Sequence, residues 1–198
     1  MVDVYIISLS DLLAAVGDEE SKSILQQFKG RKADTSTPHD VEVFLHKKAI
    51  DFERSAISTT HLVFEAETNL LLGFFSLTMK PLKMNKKNFE KLSNTRKKKL
   101  LRIGRRTSDQ KYEVNGYLIG QLGKNHIEEI DQKITGNELL TLAYKKVKEA
   151  SQIIRCKYVW LECEDTEKLI SFYTKFGFSE VEDYISKNNL KIMIMKLD

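Results

Sequence analysis

Two short stretches hold residues whose types and spacing could do chemistry. In "ITGNELL" (134–140), Gly136 opens a helix pattern directly after the strand and loop "YLIGQLGKNHIEEIDQK". A helix start gathers backbone N–H groups and the positive end of the helix dipole. Glycine there lets a ligand approach the backbone where a Cβ would obstruct it. The combination suits an anion such as a pyrophosphate. It is neither a G-x-x-x-x-G-K-[ST] phosphate loop nor a G-x-G-x-x-G fingerprint. The second stretch is "LISFYTKFGF" (169–178). Leu169, Phe172 and Phe176 fall at helical spacing and read as core. Tyr173 lies beside that stripe, and a phenol there can donate a proton to a leaving group. A purely structural tyrosine is the alternative.

These groups need a framework, and hydropathy patterning supplies one. "VYIISLS" (4–10) has strand composition, and Ser10-Asp11 is the expected cap of a helix through "DLLAAV". A second short helix, "ESKSILQQF", follows, then the turn-rich "RKADTSTPHD". A single helix, "DVEVFLHKKAIDFERSA", is expected with Asp40 as its N-cap. "THLVFEAE" and "LLLGFFSLTM" form a hairpin turned at Thr68-Asn69, with Gly73 marking a bulge or a close backbone contact. One helix is expected over roughly 86–101, and "YEVNGYLIGQL" resumes the strands. The helix "GNELLTLAYKKVKEAS" turns Leu139, Leu140, Ala143, Val147 and Ala150 inward. "KYVWLEC", the tyrosine helix, the turn at Gly177, "FSEVEDY" and "LKIMIMKL" complete the chain. The order is β-α-α-β-β-(insert)-β-α-β-α-β-β, a mixed α/β sheet. A single domain over 1–198 is expected, with an insert at 80–111.

The 41% hydrophobic and 30% charged residues are those of a soluble globular protein. No stretch approaches the ~20 apolar residues that cross a bilayer, and the acidic N-terminus is not an export signal. Cys156 and Cys163 lack a metal or redox spacing and read as reduced core thiols of a cytoplasmic protein. No metal is expected. The net charge of +4 conceals an asymmetry: Lys80 to Arg106 holds twelve Lys/Arg against the single Glu90, leaving the rest at −7. A basic block on an acidic body favours anionic partners, though a solvated helix with its loops would read the same way.

The run "VWLECEDTEKLISFYTKFGF", preceded by "YLIGQLGKN…ITGNELL", resembles the GNAT superfamily of N-acetyltransferases over about residues 61–198. The resemblance implies a central mixed sheet with a splayed strand pair flanked by helices, with acetyl-CoA as cosubstrate. It implies that pantetheine pairs with the backbone of Leu122, Gly123 and Lys124. The pyrophosphate would then meet Lys133, Ile134, Thr135, Gly136 and Asn137. "ISFYTKFGF" matches the family's tyrosine signature, which makes Tyr173 the general acid for the departing thiolate. Thr166 stands where an asparagine often precedes the tyrosine helix, and the resemblance implies that it too belongs to the cofactor site. Aligning the last glycine of the family's [QR]-x-x-G-x-[GA] loop with Gly136 puts Asp131 and Ile134 at its other two marked positions.

The acceptor would be a primary amine, small-molecule or peptide, attacking the thioester directly. That needs a proton acceptor and oxyanion stabilisation. Glu162, Glu164, Glu113 and His126 are the candidate bases, and the Leu122 or Gly123 amide would face the oxyanion. "LLLGFFSLTMKPL", the basic insert and "YLIGQLGKN" are also similar in layout to toxin-type GNATs that acetylate aminoacyl-tRNA. In that alternative, tRNA is the partner of the Lys80–Arg106 segment. A third reading is a CoA-binding or interaction module without activity. An oligomer is compatible with all three.

Overall fold

The computed structural model describes residues 2–30, 39–101, 104–108, 111–186 and 189–197. In chain order the elements are β1 Val4–Ser8, α1 Leu9–Gln26, α2 Asp40–Lys47, α3 Ala49–Arg54, β2 Thr59–Glu65 and β3 Leu71–Met79. Next come β4 Leu82–Met84, α4 Lys86–Lys91, α5 Asn94–Leu101, β5 Gly104–Arg106, β6 Tyr112–Val114 and β7 Tyr117–Lys124. The last are α6 Gly136–Ile153, β8 Tyr158–Cys163, α7 Glu167–Phe176, β9 Ser179–Ile185 and β10 Lys191–Lys196. The main sheet is mixed, in the strand order β1-β2-β3-β7-β8-β10-β9, and β4-β6-β5 form a small sheet of their own. The chain divides into two compact units: Met1–Thr78 with Ile119–Lys146, and Met79–Leu118 with Val147–Asp198. The division falls inside β7, directly after its parallel pairing with β8 at Tyr117↔Val159 and Leu118↔Trp160.

In the first unit, β2 pairs antiparallel with β1 and β3, and buried Leu9, Leu25, Phe28, Leu62 and Phe74 centre the core. The expected bulge is there: Val63 pairs with Gly73, but Phe64 pairs with Leu71. A Cβ on Gly73 would stand 2.8 Å from the Gly123 carbonyl oxygen, so the close backbone contact is there too. Two helix boundaries differ from expectation. The cap of α1 is Ser8, not Ser10; its Oγ accepts from the Asp11 amide at 3.0 Å, so the helix starts directly off β1. The two helices expected before residue 29 are halves of α1, broken at Gly17, whose φ of 77° lies in the left-handed region open to glycine. The helix expected over 40–56 is instead α2 and α3, interrupted at Lys48, where φ is −125°. Its N-cap is His39 rather than Asp40, and the imidazole accepts from the Val41 amide. No glycine or proline marks that break in the sequence. Most of the expected loop at 31–40 lies outside the described residues.

In the second unit, β10 pairs antiparallel with β8 and β9. The basic insert is folded, not a lone helix: α4 and α5 replace the single one expected, and they sit beside the β4-β6-β5 sheet. "YEVNGYLIGQL" is likewise two strands, β6 and β7, in different sheets. Three-residue strands are too short to show a period. Their alternation still sorts the side chains: Leu82, Met84 and Val114 are buried with Phe89, Leu92, Trp160 and Ile192, while Lys83 faces out. Trp160 Nε1 donates to the Lys80 carbonyl and Tyr184 Oη to the Lys83 carbonyl, binding the insert to β8 and β9. Both cysteines are free; Cys163 is buried and Cys156 half-buried.

Candidate functional site

The end of β7 is built tightly. A Cβ on Gly123 would meet Phe74 and Phe28 at 2.8 and 2.9 Å, so the strand runs where only glycine fits. Asn125 closes the strand from a fully buried position. The following loop is anchored by buried Ile130 and Ile134, and ion pairs hold Asp131 and Lys133. Asp131 receives Lys124 Nζ at 3.1 Å and His126 Nδ1 at 2.5 Å. Lys133 Nζ reaches Glu65 Oε2 at 2.6 Å, and the Thr68 hydroxyl donates to the same oxygen. The ammonium of Lys133, expected on a pyrophosphate, is thus held by a carboxylate in this structure.

The start of α6 carries a reciprocal cap. Glu138 Oε2 accepts from the Thr135 amide at 2.7 Å and its hydroxyl at 2.8 Å, while Thr135 Oγ1 accepts from the Glu138 amide at 3.2 Å. Helix geometry gives the amides of Gly136 and Asn137 no partner within α6. Leu122, Gly123 and Lys124 thus end β7, and Lys133–Asn137 lead into α6 at the far side of a loop that Asp131 ties back to Lys124.

Three carboxyls here are held below the usual carboxylate range. For Glu65 the main cause is the bond from Lys133, for Asp131 that from Lys124, and for Glu138 the Thr135 amide. A carboxyl with a depressed folded pKa contributes stability that is present above its unfolded pKa and lost as pH falls through the folded value. Acidification to about pH 3, below the ordinary carboxyl pKa, should therefore loosen residues 124–138 before the β2–β3 core. Amide exchange corrected for its intrinsic pH dependence measures this. A loop that keeps its protection relative to β2 at that pH would count against the ion pairs as its fastening.

Tyr173, Glu162 and Thr166 belong to the second unit. Thr166 caps α7, its hydroxyl accepting from the Leu169 amide, and Gly177 ends the helix at a φ of 121°. The deepest residue of α7 is Tyr173 itself, 9% exposed; Leu169, Phe172 and Phe176 are only half-buried, so the expected core stripe is displaced toward the tyrosine. Phe172 and Phe178 meet its ring edge-on at 4.9 and 6.0 Å. Burial, with Cys163 adding to it, pushes the phenol pKa far up, so it stays protonated. Burial also pushes the Cys163 thiol up to about 11, which leaves it inert. The Glu162 carboxyl is raised by desolvation, with Lys80 opposing, a direction that suits a base. Glu113 is drawn the other way: Lys83 at 2.9 Å and Arg105 at 3.2 Å pair with it across the small sheet and lower its pKa. Its carboxylate is a counter-ion there, not a poised base. His126 is bonded to Asp131, and Glu164 is exposed. Among the described residues no group of three or more His, Cys, Asp or Glu could hold a metal ion, and no helix is long and apolar enough to cross a membrane.

No protein-family model matches the chain, and no curated protein matches it in sequence. Solved structures match over nearly its whole length. A structure described as a bacterial toxin aligns at a TM-score of 0.66, with 15% identity, covering 99% of this chain and 92% of that one. AtaTR bound with acetyl-CoA aligns at 0.60 and 16%, covering 98% and 93%. AtaT complexed with acetyl-methionyl-tRNAfMet aligns at 0.62 and 17%, covering 98% and 95%. The chain shares its fold with these solved structures. At such identity the likeness is one of fold. A GNAT reading of the sequence missed Asn125 and the Glu65–Lys133 bridge, since no local pattern joins residues 68 positions apart. The cap at α6 was visible as T-x-x-E in "TGNE".

Proposed function

We propose that the chain is an acetyl-CoA-dependent N-acetyltransferase whose acceptor is the α-amine of an aminoacyl-tRNA. The observation that carries this reading is the likeness of fold over 98% of the chain to AtaT, seen with acetyl-CoA and with acetyl-methionyl-tRNAfMet. Pantetheine lies along the backbone of Leu122–Lys124, and the pyrophosphate meets the Gly136 and Asn137 amides, with Ile134, Thr135 and Lys133 shaping the loop that leads there. The amine attacks the thioester carbonyl, and the Leu122 or Gly123 amide holds the oxyanion. Glu162 takes the proton released from the attacking nitrogen. The C–N bond is then complete, the C–S bond breaks, and Tyr173 delivers its proton to the thiolate. Thr166 contributes by capping α7. The protein works in the cytoplasm, where both substrates are found.

The folded insert supports a polyanionic acceptor. Lys80, Lys87, Lys98, Arg105 and Arg106 are exposed on it, and its apolar residues are packed beneath. Thiol release from acetyl-CoA should require tRNA that carries an amino acid. Replacing Lys87, Lys98 and Arg106 by Gln should weaken tRNA binding and leave acetyl-CoA affinity unchanged. The salt dependence of tRNA binding should flatten by ~0.7–0.9 log–log unit for each phosphate that is no longer neutralised. Turnover with a small amine or peptide but none with aminoacyl-tRNA would move the acceptor to the broader primary-amine class. Acetyl-CoA binding without any turnover would reduce the chain to a binding module.

A further inference from the structure

The geometry points to Asn125 as a positioning residue for acetyl-CoA, one that holds the cofactor strand and the segment after α1 as a single piece. The inference rests on the cofactor site proposed above. Asn125 directly follows Leu122–Lys124 and opens the loop to α6. It is 1% exposed, and every hydrogen-bonding position of its side chain is used. Oδ1 accepts from the Lys29 amide at 3.0 Å and the Ile127 amide at 3.4 Å. Nδ2 donates to the Leu71 carbonyl at 2.8 Å and the Gln27 carbonyl at 3.3 Å. Its own amide donates to the Leu72 carbonyl, and the next, that of His126, to the Lys29 carbonyl, both at 2.9 Å.

One carboxamide thus joins β3, the β7 end, the loop and the chain leaving α1. No other side chain has this pattern of two donors and two acceptors at this length. Aspartate would turn an acceptor oxygen toward the Leu71 and Gln27 carbonyls, and alanine would take this partner from the Leu71 carbonyl and from three part-buried backbone groups. The same Gln27–Gly30 segment is also fastened from α2: His46 Nε2 donates to the Phe28 carbonyl at 3.1 Å, and Glu42 accepts from the Gly30 amide at 2.8 Å. Those two bonds do not touch β7. They separate a general loosening of the segment from a loss of strand position.

The experiment is calorimetric titration with acetyl-CoA alongside thermal melting. Asn125→Asp should weaken acetyl-CoA binding about tenfold or more, since misplacing a binding backbone by an ångström is costly. His46→Ala should lower the melting temperature yet leave the affinity within about twofold. In the unmodified chain, acetyl-CoA should slow amide exchange at Lys29, 96 residues away in sequence, because that amide is bonded to Asn125. This measurement stands even if Asn125 variants do not fold. Wild-type affinity in a folded Asn125→Asp protein, or unchanged exchange at Lys29 on saturation, overturns the proposal while the cofactor site stands. Failure of the unmodified chain to bind acetyl-CoA overturns the cofactor site, and this inference with it.

Discussion

Tyr173→Phe should lower kcat by roughly ten- to a thousandfold, the range for loss of a general acid, and leave acetyl-CoA affinity nearly unchanged. The substitution deletes one oxygen and keeps the ring. Packing against Phe172 and Phe178 survives, so the melting temperature should hold. Burial keeps the phenol protonated, so in the proposed mechanism it has a proton to give when the C–S bond breaks. An effect made only in the transition state lowers kcat and kcat/KM together. A protein that turns over at the full rate with phenylalanine here would make Tyr173 a core residue, the structural alternative that the sequence left open. A raised KM at constant kcat would instead assign the hydroxyl to substrate binding.

The parts of the fold that the sequence disclosed are those with long periods. Leu139, Leu140, Ala143 and Val147 recur over α6 and are all buried, because 18 residues give the 3.6-residue repeat time to declare itself. Gly73 announced a bulge or a close approach, since a missing Cβ in an apolar strand has few other uses, and the fold has both. The basic insert went the other way. Strands of three residues, Leu82–Met84, Gly104–Arg106 and Tyr112–Val114, carry no readable repeat, and long-range packing on Trp160 and Ile192 decides their state. α7 is the instructive case. Its apolar residues were legible as a stripe, but which one lies deepest depends on what faces the helix, and that is Tyr173. The site was legible in the same uneven way. Gly136 and the T-x-x-E cap are local signals, whereas Lys133 looks like a phosphate donor until the fold sets Glu65 against it.

Gly136→Val tests the helix start, and its expected effect is the near-complete loss of stabilisation by acetyl-CoA. A ligand that binds only the folded chain at about a hundred times its Kd adds about 2.7 kcal/mol. For a chain of this length that is a rise of roughly 5–10 °C in Tm, at about 2–4 °C per kcal/mol. A β-branched side chain at the first residue of α6 would stand where the anion must approach the Gly136 and Asn137 amides. The fold itself should barely notice, since Gly136 is only half-buried and valine's helix propensity is no worse than glycine's. The Thr135–Glu138 cap lies on either side and remains in place. Thermal melting with and without acetyl-CoA should therefore show a nearly unchanged free protein and a shift reduced to about 1–2 °C, as an affinity weakened some seventyfold or more requires. Gly136→Ala should fall between the two, because its smaller Cβ blocks less of the approach. A folded Gly136→Val protein with the full wild-type shift would remove the pyrophosphate from this helix. The Asp131 cluster at the other end of the loop, with Lys124 and His126 as its cations, would then be the next place to look for it.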